Sequence, residues 1–157
     1  TLDRSSAASD VYKRQERQRL DRLVVHHRLE GLVDLPGAAL DVRPFLQSWH
    51  LYVQPSRYEG MCLAAHEAMS MGLPVLATPV GELQQSIRAS GGGIVLPRDI
   101  LPTWTASIES LFEEPLRLAR MGTAGRAYID RTYGSAAFEQ AGLAVIKQVE
   151  ALVAAAR

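Results

Sequence analysis

The chain has 157 residues, 47% apolar and 22% charged, with 17 basic side chains against 17 acidic ones. A balance this even excludes a polybasic nucleic-acid or membrane-surface module and an acidic solvating tail, both of which need one dominant charge sign. A single cysteine, Cys62, excludes a disulfide framework and a multi-thiolate metal site, and no run reaches the roughly 18 apolar residues of a membrane span.

In chain order, residues 1–15 show no apolar periodicity. The run Ser5-Ser6-Ala7-Ala8-Ser9-Asp10-Val11-Tyr12-Lys13-Arg14-Gln15 resembles a translated transposon adaptor used to prepare sequencing libraries. Residues 1–15 are therefore expected to be a non-native or disordered leader and are set aside from the fold. With such a start, the native protein is expected to continue upstream, so that 16–157 is a fragment.

Glu16 to Leu29 places Leu20, Leu23, Val24 and Leu29 near one helical face, with Gly31 as a stop. Leu32-Val33-Asp34-Leu35 predicts a short strand closed by Pro36-Gly37, and Asp41 can cap a short helix through Leu46. His50 to Val53 is the next predicted strand, ended by Pro55. Leu63 to Met71 is predicted helical, stopped by Gly72 and Pro74. Pro74 to Thr78 is apolar on both faces, as a buried parallel strand is. A helix near Leu83 to Ala89, a glycine run and a strand Ile94 to Leu96 follow. After Pro97 the pattern is helical, with breaks at Pro115 and near Gly134. The last helix, from Ser135, carries Phe138, Val145, Val149 and Leu152 on one stripe widened by Ile146 and Val153; it is expected to pack on its own domain. Strands alternating with helices predict an α/β fold, a Rossmann-like doubly wound parallel sheet with C-terminal helices and ligands at the carboxyl ends of the strands.

The segment PSRYEGMCLAAHEAMSMGLPV, from Pro55 to Val75, holds the chemistry. Glu59 and Glu67 stand eight apart. A helix beginning near Met61 would put Glu59 at its mouth and Glu67 about two turns down one side. The free amides of Gly60, Met61, Cys62 and Leu63 would then face out of the helix N-terminus, an anion site suited to a diphosphate. Gly60, without a side chain, would let a phosphate approach the backbone. A carboxylate cannot bind the phosphate, so Glu59 is expected to face a neighbouring polyol; two carboxylates accepting from vicinal hydroxyls hold a sugar or ribose. On spacing alone, two glutamates on exposed helical turns read more readily as a structural coincidence.

Pro55-Ser56, Tyr58-Glu59-Gly60, Glu67-Ala68-Met69, Gly72-Leu73-Pro74-Val75 and Val80-Gly81, with Gly122, Ala124, Gly125 and Arg126 further on, resemble the donor-binding domain of the family 4 retaining glycosyltransferases. The resemblance extends over nearly all of 16–157. It implies one half of a two-domain GT-B fold: a C-terminal nucleotide-sugar-binding domain, here lacking its first elements. It implies transfer of a glycosyl group from a nucleotide diphosphate sugar to an acceptor with retention of anomeric configuration, in polysaccharide, lipopolysaccharide or glycolipid assembly. By the same resemblance Glu59 contacts the transferred sugar as the catalytic carboxylate. Glu67 binds the ribose hydroxyls, and Gly60, Met61, Cys62 and Leu63 cradle the diphosphate, with Ser56 also among the substrate-binding residues. No metal and no cofactor is implied beyond the donor substrate. The implied partners are the nucleotide sugar and an acceptor domain preceding this chain, with no nucleic acid and with any peripheral membrane contact made by that preceding domain. A cytoplasmic enzyme is expected, at most peripheral at the membrane face, with this fragment inactive alone.

Two departures stand against the pattern. Gly81-Glu82-Leu83-Gln84-Gln85 stands where the family has Gly-Gly-x-Pro-Glu, and the Arg and Lys that neutralise the diphosphate in relatives have no counterpart in 16–157. Arg57 is read as a solvated turn residue and Cys62 as a small apolar residue in a crowded turn. His66 is read as a surface or packing residue, about 100° around the helix from Glu67. His26 and His27 are expected to be solvated, Trp49 and Trp104 to pack rather than stack on sugar, and Arg117, Arg120 and Arg126 to form an exposed face. Asp41 is a candidate contact to the nucleotide base. The reading from another class is a non-catalytic nucleotide-binding or scaffold module with the same fold; an epimerase or phosphorylase sharing the two-domain fold is a third.

Overall fold

The structure, a computed structural model, describes residues 15–155. The expected leader lies outside them, apart from Gln15. Two compact units are distinguished, Thr1–Leu40 and Asp41–Arg157.

In the first unit, residues 15–26 form helix α1, braced on its surface by Arg17 with Asp21 and Arg19 with Glu16 at 3.0 and 3.3 Å. The strand expected at Leu32 to Leu35 does not form. The amides of Leu32 and Val33 both turn back to the Leu29 carbonyl, and Leu32 is left 80% exposed. A mostly apolar tetrapeptide becomes a strand only when a neighbouring strand takes its backbone groups, and here the turn takes the first two amides.

The second unit holds the sheet. Helix α2, Arg43–Ser48, starts one residue later than a cap at Asp41 implies. Its N-cap is Val42, while the Asp41 carboxylate accepts from the Arg43 amide at 3.0 Å and its guanidinium at 2.9 Å. There follow β1 (Tyr52–Gln54), α3 (Leu63–Ser70), β2 (Val75–Ala77), α4 (Leu83–Ser90), β3 (Gly93–Val95), α5 (Leu101–Glu113), α6 (Pro115–Tyr133) and α7 (Ser135–Ala155). The strands are parallel in the order β1-β2-β3, with Tyr52, Val53 and Gln54 opposite Val75, Leu76 and Ala77, and these opposite Gly93, Ile94 and Val95.

The period-2 alternation of β2 divides the core. Val75 and Ala77 pack with Ala65, Ala68 and Met69 of α3, Leu83 and Ile87 of α4 and Ile129 of α6. Leu76, facing the other way, packs with Leu96, Trp104 and Leu111 of the α5 side and Met121 of α6. Helices on both faces of a parallel sheet are the doubly wound arrangement expected. Met69, Leu76, Leu83 and Leu111 are fully buried, each worth about 2 kcal/mol in apolar burial.

Helix α6 closes the end of the sheet where β2 and β3 begin. A Cβ on Gly122 would fall on the Gly72 carbonyl oxygen, and one on Gly92 would lie 2.5 Å from the Gly125 Cα. The helix therefore reaches this depth because Gly122 on α6 and Gly92 beneath it carry no side chain, whereas a Cβ on Gly125 would make ordinary contact at 3.4 Å.

Helix α7 corrects its expected packing. Phe138, Val145, Ile146, Val149, Leu152 and Val153 are all more than half exposed. The helix packs against α6, and its apolar stripe meets no sheet face. Among the described residues no helix is long and apolar enough to cross a membrane.

Candidate functional site

β1 ends at Gln54, and Pro55, which has no amide proton, turns the chain out of the sheet. Thr78, one residue beyond β2, holds the departing loop. Its amide donates to the Gln54 carbonyl at 3.2 Å and its hydroxyl to the Ser56 carbonyl at 2.6 Å. A fully buried threonine thus satisfies its polar groups by fastening two strand ends together.

Within this loop Glu59 is oriented by its neighbours. Gln54 Nε2 donates to Glu59 Oε1 at 3.0 Å, and Ser56 Oγ donates to the same oxygen at 2.8 Å. The sequence patterns singled out Ser56 and Glu59 but passed over Gln54, a polar residue in the final, buried position of a strand. That anomaly was the available signal. Two residues back on the same face stands Tyr52, half-buried. Burial first, and then the charges of Glu59 and Glu67, push its phenol above the ordinary 10.0. Tyr52, also passed over, therefore keeps its proton beside both glutamates.

The helix that follows begins at Leu63, as the helical run predicts, and not near Met61 as the anion-site geometry assumed. Gly60 and Met61 belong to the loop, Cys62 is the N-cap in the left-handed region at φ 58°, and α3 starts at Leu63. Glu67 consequently lies just over one turn into α3, not two, and is exposed. The amides of Ala65 and His66 donate to the Cys62 carbonyl at 3.0 and 3.1 Å. Those of Cys62, Leu63 and Ala64 have no acceptor among the described residues. The amides of Gly60 and Met61, in the loop before the cap, likewise have no acceptor among the described residues, so the expected run of free donors extends to Ala64.

The loop after β2 supports the same turn from beneath. The Glu82 amide donates to the Gly60 carbonyl at 3.0 Å, and Gly81, at φ +49°, sits so close that a Cβ would fall on the Gly60 oxygen. In this chain Gly81 is thus fixed by its contact with the motif loop. Gly60 is the opposite case: a Cβ there would meet nothing within 4 Å.

The remaining candidates separate cleanly. Cys62 is buried, with Sγ 3.9 Å from the Val80 carbonyl, and burial raises its thiol pKa, as does Glu59. A protonated, enclosed thiol is the apolar filler expected. His66 is buried too, its Nε2 2.8 Å from Ser86 Oγ and its ring edge-on to Tyr133, which makes it a packing residue between α3 and α4. Asp41 is held below the usual carboxylate range by hydrogen bonds from Arg43. Trp104 is buried and donates to the Pro97 carbonyl at 2.8 Å, whereas Trp49 is 46% exposed. Arg98, from the loop after β3, reaches the Arg57 carbonyl at 3.5 Å. A groove of about 480 Å³ lined by Ile94, Thr103, Ser107, Ser110 and Arg117 lies on the α5 side of the sheet, away from the glutamates.

The family model "Glycosyl transferases group 1" matches residues 10–114. The MMP alpha-(1->4)-mannosyltransferase of Mycolicibacterium hassiacum is 33% identical over 82% of this chain and 30% of its own length. The lipopolysaccharide core biosynthesis mannosyltransferase of Rhizobium meliloti is 30% identical over 78% and 36% respectively. The D-inositol 3-phosphate glycosyltransferase of Gordonia bronchialis is 30% identical over 61% and 21%. Among solved structures, the sucrose-phosphate synthase of Thermosynechococcus elongatus superposes with a TM-score of 0.76 at 26% identity, over 88% of this chain and 35% of that one. The chain spans between 21% and 36% of the length of these relatives.

Proposed function

The chain belongs to the group 1 glycosyl transferases, and on that premise we propose that it forms the donor-binding part of an enzyme that transfers a glycosyl group from a nucleotide diphosphate sugar with retention at the anomeric carbon. The observation that carries this reading is the placement of Glu59. Its carboxylate is oriented by two donors on one oxygen at the carboxyl end of the sheet, where doubly wound folds bind ligands.

In the proposed complex, the free oxygen of Glu59 accepts from a hydroxyl of the transferred sugar, and Glu67 accepts from the ribose hydroxyls. The amides of Gly60, Met61, Cys62 and Leu63, with that of Ala64, donate to the diphosphate, aided by the positive end of α3. The open space over Gly60 supports this arrangement, because no described residue comes within 4 Å of a Cβ placed there. In the reaction, the bond from the anomeric carbon to the diphosphate oxygen breaks and a bond to the acceptor oxygen forms on the same face. The acceptor's proton passes to the departing diphosphate. No step in this scheme uses a metal or a cofactor, and catalysis is positioning and charge stabilisation.

The Arg and Lys that would neutralise the diphosphate, and the acceptor site, are assigned to a preceding domain. The proposal therefore includes that this chain alone binds donor weakly and turns nothing over. Calorimetric titration with several nucleotide diphosphates tests the binding half. Turnover of a nucleotide sugar by the 157-residue chain would overturn the division of labour.

A further inference from the structure

We propose that Gln54 is a positioning residue for sugar recognition: its buried amide, with the Ser56 hydroxyl, holds one oxygen of Glu59 and leaves the other to accept from the bound sugar. The inference rests on the donor-binding reading above.

Three features of Gln54 point the same way. Gln54 is only 7% exposed, at the end of a strand whose other residue on that face, Tyr52, packs against the apolar core. The amide has one permissible orientation, because turning it over would set its oxygen against the Glu59 carboxylate. In that orientation Nε2 donates to Glu59 at 3.0 Å, while Oε1 is buried with no hydrogen-bond partner among the described residues.

A buried acceptor left unpaired lowers stability, and an aliphatic residue of similar size would avoid the cost. Packing therefore gives no reason for glutamine at this position, but the carboxylate does. Both donors fall on Oε1 of Glu59, so the side chain is held at that oxygen, and Oε2 has no hydrogen-bond partner among the described residues. A carboxylate held in this way loses little freedom when a hydroxyl docks on Oε2, which is the saving that preorganisation gives. Thr78 completes the support, since it holds the backbone of both Gln54 and Ser56.

The test uses the full chain, with calorimetric titration of UDP-, GDP-, ADP- and dTDP-linked hexoses and the matching nucleoside diphosphates. Gln54→Leu is expected to weaken the nucleotide sugar about fivefold while leaving the nucleoside diphosphate within about twofold and Tm unchanged or raised. In a Glu59→Ala background the same substitution is expected to have no further effect on the sugar-dependent difference. Gln54→Met, similar in length and without a donor, repeats the test should the leucine variant not fold. Equal weakening of sugar and diphosphate, or a fall in Tm with sugar recognition intact, overturns the inference. If Glu59→Ala abolishes the sugar-dependent difference and neither Gln54 variant does, the inference falls and the donor reading stands. If the unaltered chain binds none of these compounds, the donor reading falls and takes the inference with it.

Discussion

At the N-terminal ends of β2 and β3, α6 lies so close that a methyl group on Gly122 would fall on the Gly72 carbonyl, whereas at the carboxyl end of β1 a methyl group on Gly60 would meet nothing within 4 Å. Both residues are glycine in a parallel-sheet domain, yet one is required by the protein's own packing and the other is not. The difference teaches how to read such residues. A glycine that touches backbone specifies the fold, and one that faces open space is left unexplained by packing, as Gly60 is until the proposed donor is considered.

The comparison can be broken at its strongest point first. Gly122→Ala should gain up to about 1 kcal/mol in helix propensity but lose about 3 kcal/mol to the clash with fixed backbone. A net fall in urea-denaturation stability is expected, and an unchanged midpoint would mean that α6 is not seated as described. At the other end, Glu59→Gln in the full-length enzyme should reduce turnover about a hundredfold with the denaturation midpoint unmoved. Near-normal rates would remove its proposed role.

Gly81→Ala lies between the two ends in kind, since its contact is with the motif loop itself. A loss of about 1–2 kcal/mol is expected from the left-handed backbone and the crowding at Gly60, accompanied by weaker donor binding. Gly60→Ala should leave stability within about 0.5 kcal/mol and weaken nucleotide diphosphate binding in a titration; equal affinity would show that nothing approaches this backbone closely. Smallest is the alkaline response. The folded state holds the protons of Tyr52 and Cys62 more tightly than the unfolded chain does. Their contribution is therefore complete below the ordinary values of 9.0 for the thiol and 10.0 for the phenol, and is lost as pH rises past them. Tyr52→Phe should flatten the fall of Tm on that limb, read by calorimetry between about pH 8 and 10.5.

The packed end was the more legible of the two in the sequence. β2 is apolar at every position, α3 is bracketed by loop and by Gly72, and the breaks at Pro115 and Gly134 fall where the helices divide. These signals are local: a proline or a glycine acts on its own backbone wherever it stands. The Leu32–Leu35 segment failed because a strand needs a partner, and partnership is not written in four residues. The start of α3 at Leu63 was legible from the helical run, but the anion-site geometry assumed a start near Met61, and Cys62 in a left-handed conformation is a cap that its side chain does not advertise. Helix α7 has the composition of a packed amphipathic helix, but composition does not say what lies opposite.

At the ligand end, the resemblance pointed to Glu59 and Ser56 and the structure brings them within 2.8 Å of each other. Gln54 and Tyr52 escaped notice because their relation to Glu59 depends on how the loop folds back over β1. No spacing rule encodes that. The substrate roles themselves remain proposals that the substitutions above decide.

The hydrogen bond from Glu82 to Gly60 has a consequence for solution experiments. As the residue before α4, Glu82 donates its amide proton across to the motif loop instead of back along its own chain. That proton can exchange with deuterated solvent only when the loop lifts away from α4. Its exchange rate is therefore a one-atom gauge of loop opening, and a ligand that closes the loop would slow exchange at Glu82 without touching it.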